Sequence, residues 1–302
     1  MQERAGVRKR LATAGAHVIR DFMPEQHREF FHQLPFIVTG HVDADRYPCA
    51  SILDGPPGFI SSPTPKRLAI HALPAAGTPL HAALAPSMSV GLLGIEPHTR
   101  RRNRLNGIVA AVNRDGFEVA VRQSFGNCPK YIQAREPSFA PESHRGGAAV
   151  RAATLDAEAR ALVAAADTFF IASAHGHAAA DDQRANGVDV SHRGGKPGFV
   201  RVDGPSALTV PDFIGNFFFN TLGNLAVNPR AGLLFAEFDG GDVLQVAADA
   251  EIAWDGPELA AFSGAQRLLK LRVRKVLRFP GSLGLRFGPA ELSPHLAGTG
   301  HW

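Results

Sequence analysis

The sequence predicts a mainly β protein with short helices (α+β), arranged as two tandem small β-barrels. Three observations carry that expectation. First, one pattern is written twice. Ala50-Ser51-Ile52-Leu53-Asp54-Gly55-Pro56-Pro57-Gly58-Phe59-Ile60 and Val190-Ser191-His192-Arg193-Gly194-Gly195-Lys196-Pro197-Gly198-Phe199-Val200 share S-x-x-x-G-x-P-G-F followed by a β-branched residue, 140 positions apart. Second, the offset persists: Gly91-Leu92-Leu93 recurs as Gly232-Leu233-Leu234, 141 positions on. Two matches in order at nearly one offset mark a repeated domain, because the period is far too long for a solenoid unit. Third, short β-rich segments follow one another closely with Gly and Pro between them, the pattern of an antiparallel sheet closed into a small barrel.

Taken in order, residues 1–24 are basic, lack a strong period and read as an N-terminal arm. Met23–Leu34 reads as a short amphipathic helix, with Pro24 near its first turn, acids early, and Phe30, Phe31 and Leu34 on one side. The β-branched run Phe36–Thr39 follows as a strand. The second half repeats this: an Ala-rich helix opens at Leu155-Asp156 and runs to about Ala166, and Phe169–Ala172 is the strand. Val42–Pro48 is a compact hairpin connection, whereas His175–Gly187 is longer and polar. That insertion raises the offset from 134 at the Phe-Ile pairs to 140 at the Pro-Gly-Phe sites, and insertions belong at exposed hairpin tips. Further strands are expected at Arg67–His71, Ser89–Ile95, Gly107–Asn113 and Phe117–Arg122. In the second copy they are expected at Phe199–Val202, Leu208–Val210, Ala231–Glu237, Val243–Ala248 and Glu251–Trp254, with a helical interruption over Phe217–Val227. The domains are then 25–135 and 155–290, joined by a Pro/Gly/Ser/Ala-rich linker at 136–154 and followed by a frayed tail, 291–302.

The bulk composition fits this plan. A chain of 302 residues with 45% hydrophobic and 20% charged residues suits two ordinary globular cores. Net charge is +4 and the isoelectric point is near 9.4, mildly basic and not polycationic. The run Arg100-Arg101-Arg102-Asn103-Arg104 is either a solvated loop or an anion site. No recognition-helix or base-stacking motif accompanies it, which argues against a nucleic-acid partner. The two cysteines, Cys49 and Cys128, have no zinc spacing and cannot form a disulfide framework, so they read as buried free thiols. No run of about 18 apolar residues and no apolar leader stands in the sequence, so no membrane partner and a cytoplasmic location are expected. His175-Gly176-His177 would put two rings on one face of a strand, but no third ligand is near and no metal is expected.

The polar constellation of the second copy is the sharper one. Ser191, Arg193 and Thr221 are residue types that bind phosphate, and Gly194 with Gly195 permits close backbone approach. Asn220 and Asn224 lie four apart on one face of a helical turn. The same Asn and Gly residues could equally cap a helix and shape a turn. The run S-x-R-G-G-x-P-G-F-V-R-V, followed by P-D-x-x-G-N-x-x-x-N-T-L-G-N-L-x-x-N-P-R-x-G-L-L-F, resembles the pyridoxamine 5′-phosphate oxidase-like FMN-binding split-barrel superfamily, and within it the predicted flavin-nucleotide-binding group. The resemblance is specific over 165–254 and weaker over 25–135, where Arg100–Gly107 and Gln123–Ile132 carry it.

The resemblance implies a six-stranded split barrel per copy, with FMN at the seam between two barrels. It places Ser191, Arg193, Gly194, Asn220, Thr221 and Asn224 on cofactor-contact segments, with Lys130 reaching the seam from the first copy. Arg104 and Phe217 are the residues it implies for a substrate, the first favouring an anionic group. Copy one departs from the pattern: Leu53 and Asp54 stand at the positions of Arg193 and Gly194, and Pro79–Pro86 replaces the N-T-L-G-N segment. One half is therefore expected to keep the ligand while the other serves as scaffold. The implied activity is an FMN-dependent oxidoreductase of unknown small-molecule substrate, with no residue standing out as a general acid or base. The alternatives are a flavin or haem carrier and a barrel kept for assembly. Expected partners are a small-molecule substrate or electron donor, a second copy in a homodimer, and a separate reductase, because no nicotinamide-binding Gly-rich fingerprint is present.

Overall fold

The computed structural model describes residues 1–6, 18–176 and 187–302. Its strands fall into two large antiparallel sheets of one topology and a separate two-stranded pair. In the first half, helix α1 (Glu25–His32) precedes β1 (Phe36–Val42), β2 (Pro48–Asp54), β3 (Ile60–Thr64), β4 (Arg67–Ile70), a short α2 (Pro79–Ala83), β5 (Ser89–Glu96), β6 (Arg101–Asn113) and β7 (Gly116–Gly126). Strands β8 (Pro137–Phe139) and β9 (Val150–Ala152) lie between the halves. The second half runs α3 (Ala157–Ala165), β10 (Thr168–Ala174), β11 (Val188–Gly194), β12 (Arg201–Gly204), β13 (Ala207–Phe213), α4 (Asn220–Val227), β14 (Arg230–Ala236), β15 (Val243–Ala253), α5 (Pro257–Ala261), β16 (Ala265–Phe279) and β17 (Leu285–Phe287).

The strand orders are β2-β1-β5-β6-β7-β4-β3 and β11-β10-β14-β15-β16-β13-β12. Replacing each strand of the first order by its successor in the repeat gives the second. In each sheet the two end strands share no hydrogen-bond register, and that gap is where the barrel is split. The sheets have seven strands on the main path rather than the implied six, because the chain after each Pro-Gly-Phe turn forms an extra short strand against the next. Even the irregularity is repeated. A β-bulge falls between Asn106 and Gly107 and again between Ala247 and Ala248, 141 positions apart, adding the local twist that curls a sheet.

Register corrects the offset at the first strand. The Gly55 N–H donates to the Pro35 carbonyl and the Gly195 N–H to the Asp167 carbonyl. Pro35 therefore matches Asp167 at an offset of 132, not the 134 suggested by the Phe-Ile pairs. The second hairpin is eight residues longer than the first. Most of that insertion, including His177, lies outside the described residues, as does much of the expected N-terminal arm. Several other expectations change. Val243–Ala248 and Glu251–Trp254 are one strand, β15, and Arg100–Arg104 is no loop but the start of β6. The longest strand, β16, is absent from the sequence-derived set. Helix α4 begins only at Asn220, and Phe217 and Phe219 before it hold positive φ. The linker forms two short strands, β8 against β17 and β9 against β16. The tail is docked: Trp302 Nε1 donates to the Phe199 carbonyl at 2.7 Å, and its ring packs on Phe262.

Strand alternation sorts the apolar residues into three cores. Inward residues such as Ile37, Leu92, Leu105 and Val119 fill the first barrel, with Phe30 and Phe31 of α1 at one end. Phe169, Ile171, Leu233, Phe235, Val246 and Leu271 fill the second. The opposite faces of the same strands supply Phe36, Val38, Leu93, Phe170, Ala172 and Leu234 to a third core between the barrels. Such runs are buried on both faces, which is why they read as continuous apolar stretches rather than alternating ones. A Cβ on Gly232 would lie 2.1 Å from the Pro48 carbonyl oxygen, and one on Gly91 2.8 Å from that of Val188. The two glycines of the repeated Gly-Leu-Leu are thus the points where β14 crosses β2 and β5 crosses β11.

Candidate functional site

The barrel seam opens on one side into a cleft of about 910 Å³, counted out to its mouth. Both barrels build it. The first contributes Arg102 and Arg104 from β6 and the segment Asn127–Tyr131 after β7. The second contributes Ser191–Gly194 from β11, Pro211–Phe213 from β13, residues 215–217, Phe219, the start of α4 and Arg267 from β16. The period-two rule explains the arginines: residues 102 and 104 share one face of β6, while Arg101 turns away to lie over Phe30.

Of the residues singled out in the sequence, Ser191, Arg193, Gly194, Asn220, Thr221, Lys130, Arg104 and Phe217 all line this cleft. Asn224 does not; its Nδ2 donates to Ser173 Oγ at 3.2 Å and ties α4 to β10. Gly194 has a packing reason as well, since a Cβ there would fall 1.9 Å from the Tyr131 carbonyl oxygen. The Gly195 N–H is spent on the Asp167 carbonyl and faces no ligand. His192 sits buried on β11 with its ring edge-on to Phe170. Phe217 and Phe219 line the cleft, whereas Phe218 turns to Phe125 of the first barrel.

Two ion-pair groups organise the charge. Arg104 and Asp189, each 4% exposed, pair at 2.8 Å, and Arg104 Nη2 also donates to Ser191 Oγ at 2.5 Å. The Thr221 hydroxyl donates to the same Ser191 oxygen at 3.0 Å. On the other wall Arg193 meets Asp212 at 2.6 Å, and Arg267 approaches that carboxylate at 3.5 Å. Arg102 secures the seam: Nε donates to the Cys128 carbonyl at 2.7 Å and Nη1 to the His192 carbonyl at 3.3 Å.

Arg102, Arg104, Arg193, Arg267 and Lys130 thus face a cleft whose lining carboxylate is Asp212, with Asp189 just behind it. The charges press on one another. Burial, then the neighbouring Arg104 and Arg193, pushes the Arg102 pKa down to about 9. Burial also lowers Arg104 and Arg267, with Arg193 adding to the strain on each. Buried donors remain without hydrogen-bond partners: Nε of Arg104 and of Arg193, and Nη1 of Arg267, whose Nε lies 3.5 Å from Asp212. Unpaired buried guanidinium N–H groups are costly.

The backbone is strained at the same place. Tyr131, Phe217 and Phe219 are three of the six non-glycine residues with positive φ among the described residues. For bulky aromatic residues this costs about 1 kcal/mol or more each, and such strain gathers at functional sites. It is held by the Tyr131 hydroxyl on the Ile214 carbonyl at 3.1 Å and by Asn216 Oδ1, which accepts from the Phe218 N–H at 3.1 Å. Sequence reasoning missed Arg102, Arg267 and Tyr131. Arg102 and Arg104 carry a period-two signal; Arg267 belongs to the strand that was not expected.

The described residues hold no group of three or more His, Cys, Asp or Glu side chains suited to a metal ion, and no helix among them is long and apolar enough to cross a membrane. No protein-family profile and no curated protein matches the chain. Three solved structures align over about one barrel's length. HupZ of Group A Streptococcus is 9% identical over 43% of this chain and 97% of its own, with a TM-score of 0.33. A putative pyridoxamine 5′-phosphate oxidase from Lactobacillus delbrueckii is 16% identical over 41% and 93%, with a TM-score of 0.32. An FMN-binding protein from Syntrophomonas wolfei is 12% identical over 39% and 82%, with a TM-score of 0.29. The split-barrel assignment rests on strand order and register rather than on these alignments.

Proposed function

We propose that this cleft binds FMN and that the protein is a flavin-dependent oxidoreductase acting on a small molecule. The observation that carries the reading is the gathering of Arg104, Arg193, Arg267 and Lys130 on the walls of one cleft beside the Ser191–Thr221 hydroxyl pair. A phosphate dianion is suited to such donors. Arg104, Arg193, Ser191 and Thr221 would hold the phosphate, with Lys130 and Asn220 at the rim. Phe217 and Phe219 offer apolar surface to a planar ring system. When bound, FMN supplies hydride or electron transfer at its ring. The chain's own part is to bind, orient and exclude water. Asp189 and Asp212 are committed to ion pairs, and His192 is buried with its pKa driven well below its usual range by burial and by Arg102 and Arg193. Asp189, Asp212 and His192 are therefore not free to transfer protons, and FMN would supply the redox chemistry.

The test is the absorbance spectrum of the purified protein before and after loading with FMN and desalting. Flavin bands are expected, and Arg193→Ala with Thr221→Ala should weaken FMN binding by about 100-fold, the size of losing one charged and one neutral hydrogen-bonding group. A spectrum with only the protein band and no FMN uptake overturns the reading. His192, whose two ring nitrogens have no partner, gives haem as a second reading, and a Soret band would select it. A yellow protein that no electron donor bleaches would make this a flavin carrier rather than an enzyme.

A further inference from the structure

Cys128 is the one thiol in the cleft. It is half-buried, and it follows β7 in the segment that the first barrel lends to the seam. The guanidinium of Arg102 reaches back to its carbonyl, and that same guanidinium holds the His192 carbonyl opposite. Lys130 stands two residues on, and Arg104 and Arg193 line the facing walls. Cys128 therefore shares one cleft with these four cationic side chains, and His192, 5% exposed with both ring nitrogens unpartnered, lines the same space. Cys49 lies on β2 away from this cleft, and burial together with the Asp43 carboxylate pushes its thiol up, which suppresses its thiolate.

We propose that Cys128 is a site of reversible thiolation by anionic low-molecular-weight disulfides, drawn in and held by the cationic cleft. Cationic clefts concentrate anions and raise their encounter rates by tenfold or more, an effect that salt removes. In the reaction the Cys128 thiolate attacks one sulfur of the disulfide. The reagent's S–S bond breaks as the new S–S bond forms, and the departing thiolate takes up the proton that Cys128 released. Cys128 is oxidised to a mixed disulfide while half of the reagent is reduced to its thiol; no other oxidant is needed. The carboxylates of the attached half then occupy the donors that an anionic ligand would use, so thiolation and ligand binding exclude each other. A reducing thiol restores the free site.

The inference needs an anion-binding cleft but not that the anion be FMN, so the two readings fail separately. The experiment compares two aromatic disulfides on the full-length protein, the dianionic 5,5′-dithiobis(2-nitrobenzoate) and the uncharged 4,4′-dithiodipyridine, with each rate divided by that for a free cysteine derivative. The expected result is modification of Cys128 alone by peptide mapping, a normalised preference of at least about tenfold for the dianion, and loss of that preference in 0.5 M salt and in Arg102→Gln. Lys130→Gln, at the rim, gives a smaller loss and serves if Arg102→Gln does not fold. Inorganic phosphate should slow the dianionic reagent. Equal normalised rates for the two reagents, or no modification of Cys128 in the folded protein, would overturn the proposal. Preference for the dianion without any FMN uptake would sustain it while removing the flavin.

Discussion

Arg104 is where the two halves part chemically. Register equates it with Gln245, since Leu93 opposes Arg104 as Leu234 opposes Gln245. Ser51 corresponds to Ser191, and the contact survives in neutral form: Gln245 Nε2 donates to Ser51 Oγ at 2.9 Å where Arg104 donates to Ser191. The carboxylate has gone too, with Cys49 at the place of Asp189. Removing one member of a buried ion pair strands the other, so Arg104→Gln should cost roughly 3–5 kcal/mol in urea unfolding. Adding Asp189→Cys, which copies the first half's pair, should restore most of that stability while leaving the cleft unable to hold an anion. A double variant no more stable than the single one would contradict this account. Histidines set the pH response. His41 is fully buried and neither ring nitrogen reaches hydrogen-bond geometry, although Asp43 and the Pro79 carbonyl favour its charged form; burial wins and lowers its pKa to about 4. His192 is lowered by the same cause. A histidine depressed in the folded state loses nothing above the unfolded pKa near 6.5. Below it, the unfolded chain binds the proton and the folded one resists. Stability should therefore fall as pH drops from about 6.5, with His41 alone contributing a loss of roughly 3 kcal/mol by pH 4. His41→Leu should reduce the proton uptake on unfolding by about one, measured as the slope of stability against pH.

Among the elements, the crossings of β14 over β2 and β5 over β11 hold the seam at its width. The neighbour that a Gly232 Cβ would meet is backbone, at 2.1 Å, and cannot swing aside as a side chain would. Gly232→Ala should therefore part the barrels locally, cost about 1–3 kcal/mol, and weaken anion binding at the cleft, which the same seam frames. Gly223 is the matched control. It lies inside α4 with nothing within 4 Å of its would-be Cβ and an ordinary φ, so Gly223→Ala should stabilise by roughly 0.5–1 kcal/mol. Calorimetric melting of both variants checks the pair, and equal shifts would remove the crossing argument. The glycines also show what the sequence makes legible. Their recurrence is visible as a repeat, but the reason for it needs two strands distant in sequence to be brought face to face. Strand β16 is the opposite case. Its leucines and valines alternate with Arg272, Arg274 and other basic residues, and that period-two pattern is readable from the sequence. The Phe-Ile pairs that suggested an offset of 134 mislead because β1 and β10 are apolar on both faces; a two-residue slip keeps every side chain on its own face, and only hydrogen-bond register resolves it.

At the scale of the molecule, the third core joins two barrels inside one chain in the way two subunits would join, and the repeat generates two seam positions related by an approximate two-fold. Duplication was plain in the sequence, as were most residues of the cleft wall from the second half, because Ser191, Arg193 and Thr221 lie in short runs. The first half's share was harder to see: Arg102 and Arg104 matter only because β6 faces β11 across the seam, a contact that no local pattern encodes. At the second seam position, register puts Val243 for Arg102, Gln245 for Arg104, Leu53 for Arg193 and Cys49 for Asp189. What remains there is a small pocket lined by Cys49, Ala50, Pro79, Leu233, Gln245 and Val246, with Asp43 and Lys275 as its charged residues. The three arginines are gone, and the one cation there, Lys275, is held by Asp43 and Asp45, so an anion entering that pocket would meet no guanidinium and a carboxylate beside it. The chain should accordingly bind one FMN, whatever its oligomeric state, because the complete cleft already draws on both of its own halves. Calorimetric titration with FMN, beside the flavin-to-protein ratio of the loaded protein after desalting, should give one ligand per chain. Two per chain would mean that Gln245 and Ser51 suffice for phosphate without the arginines, and the charge argument for the first cleft would fall with it.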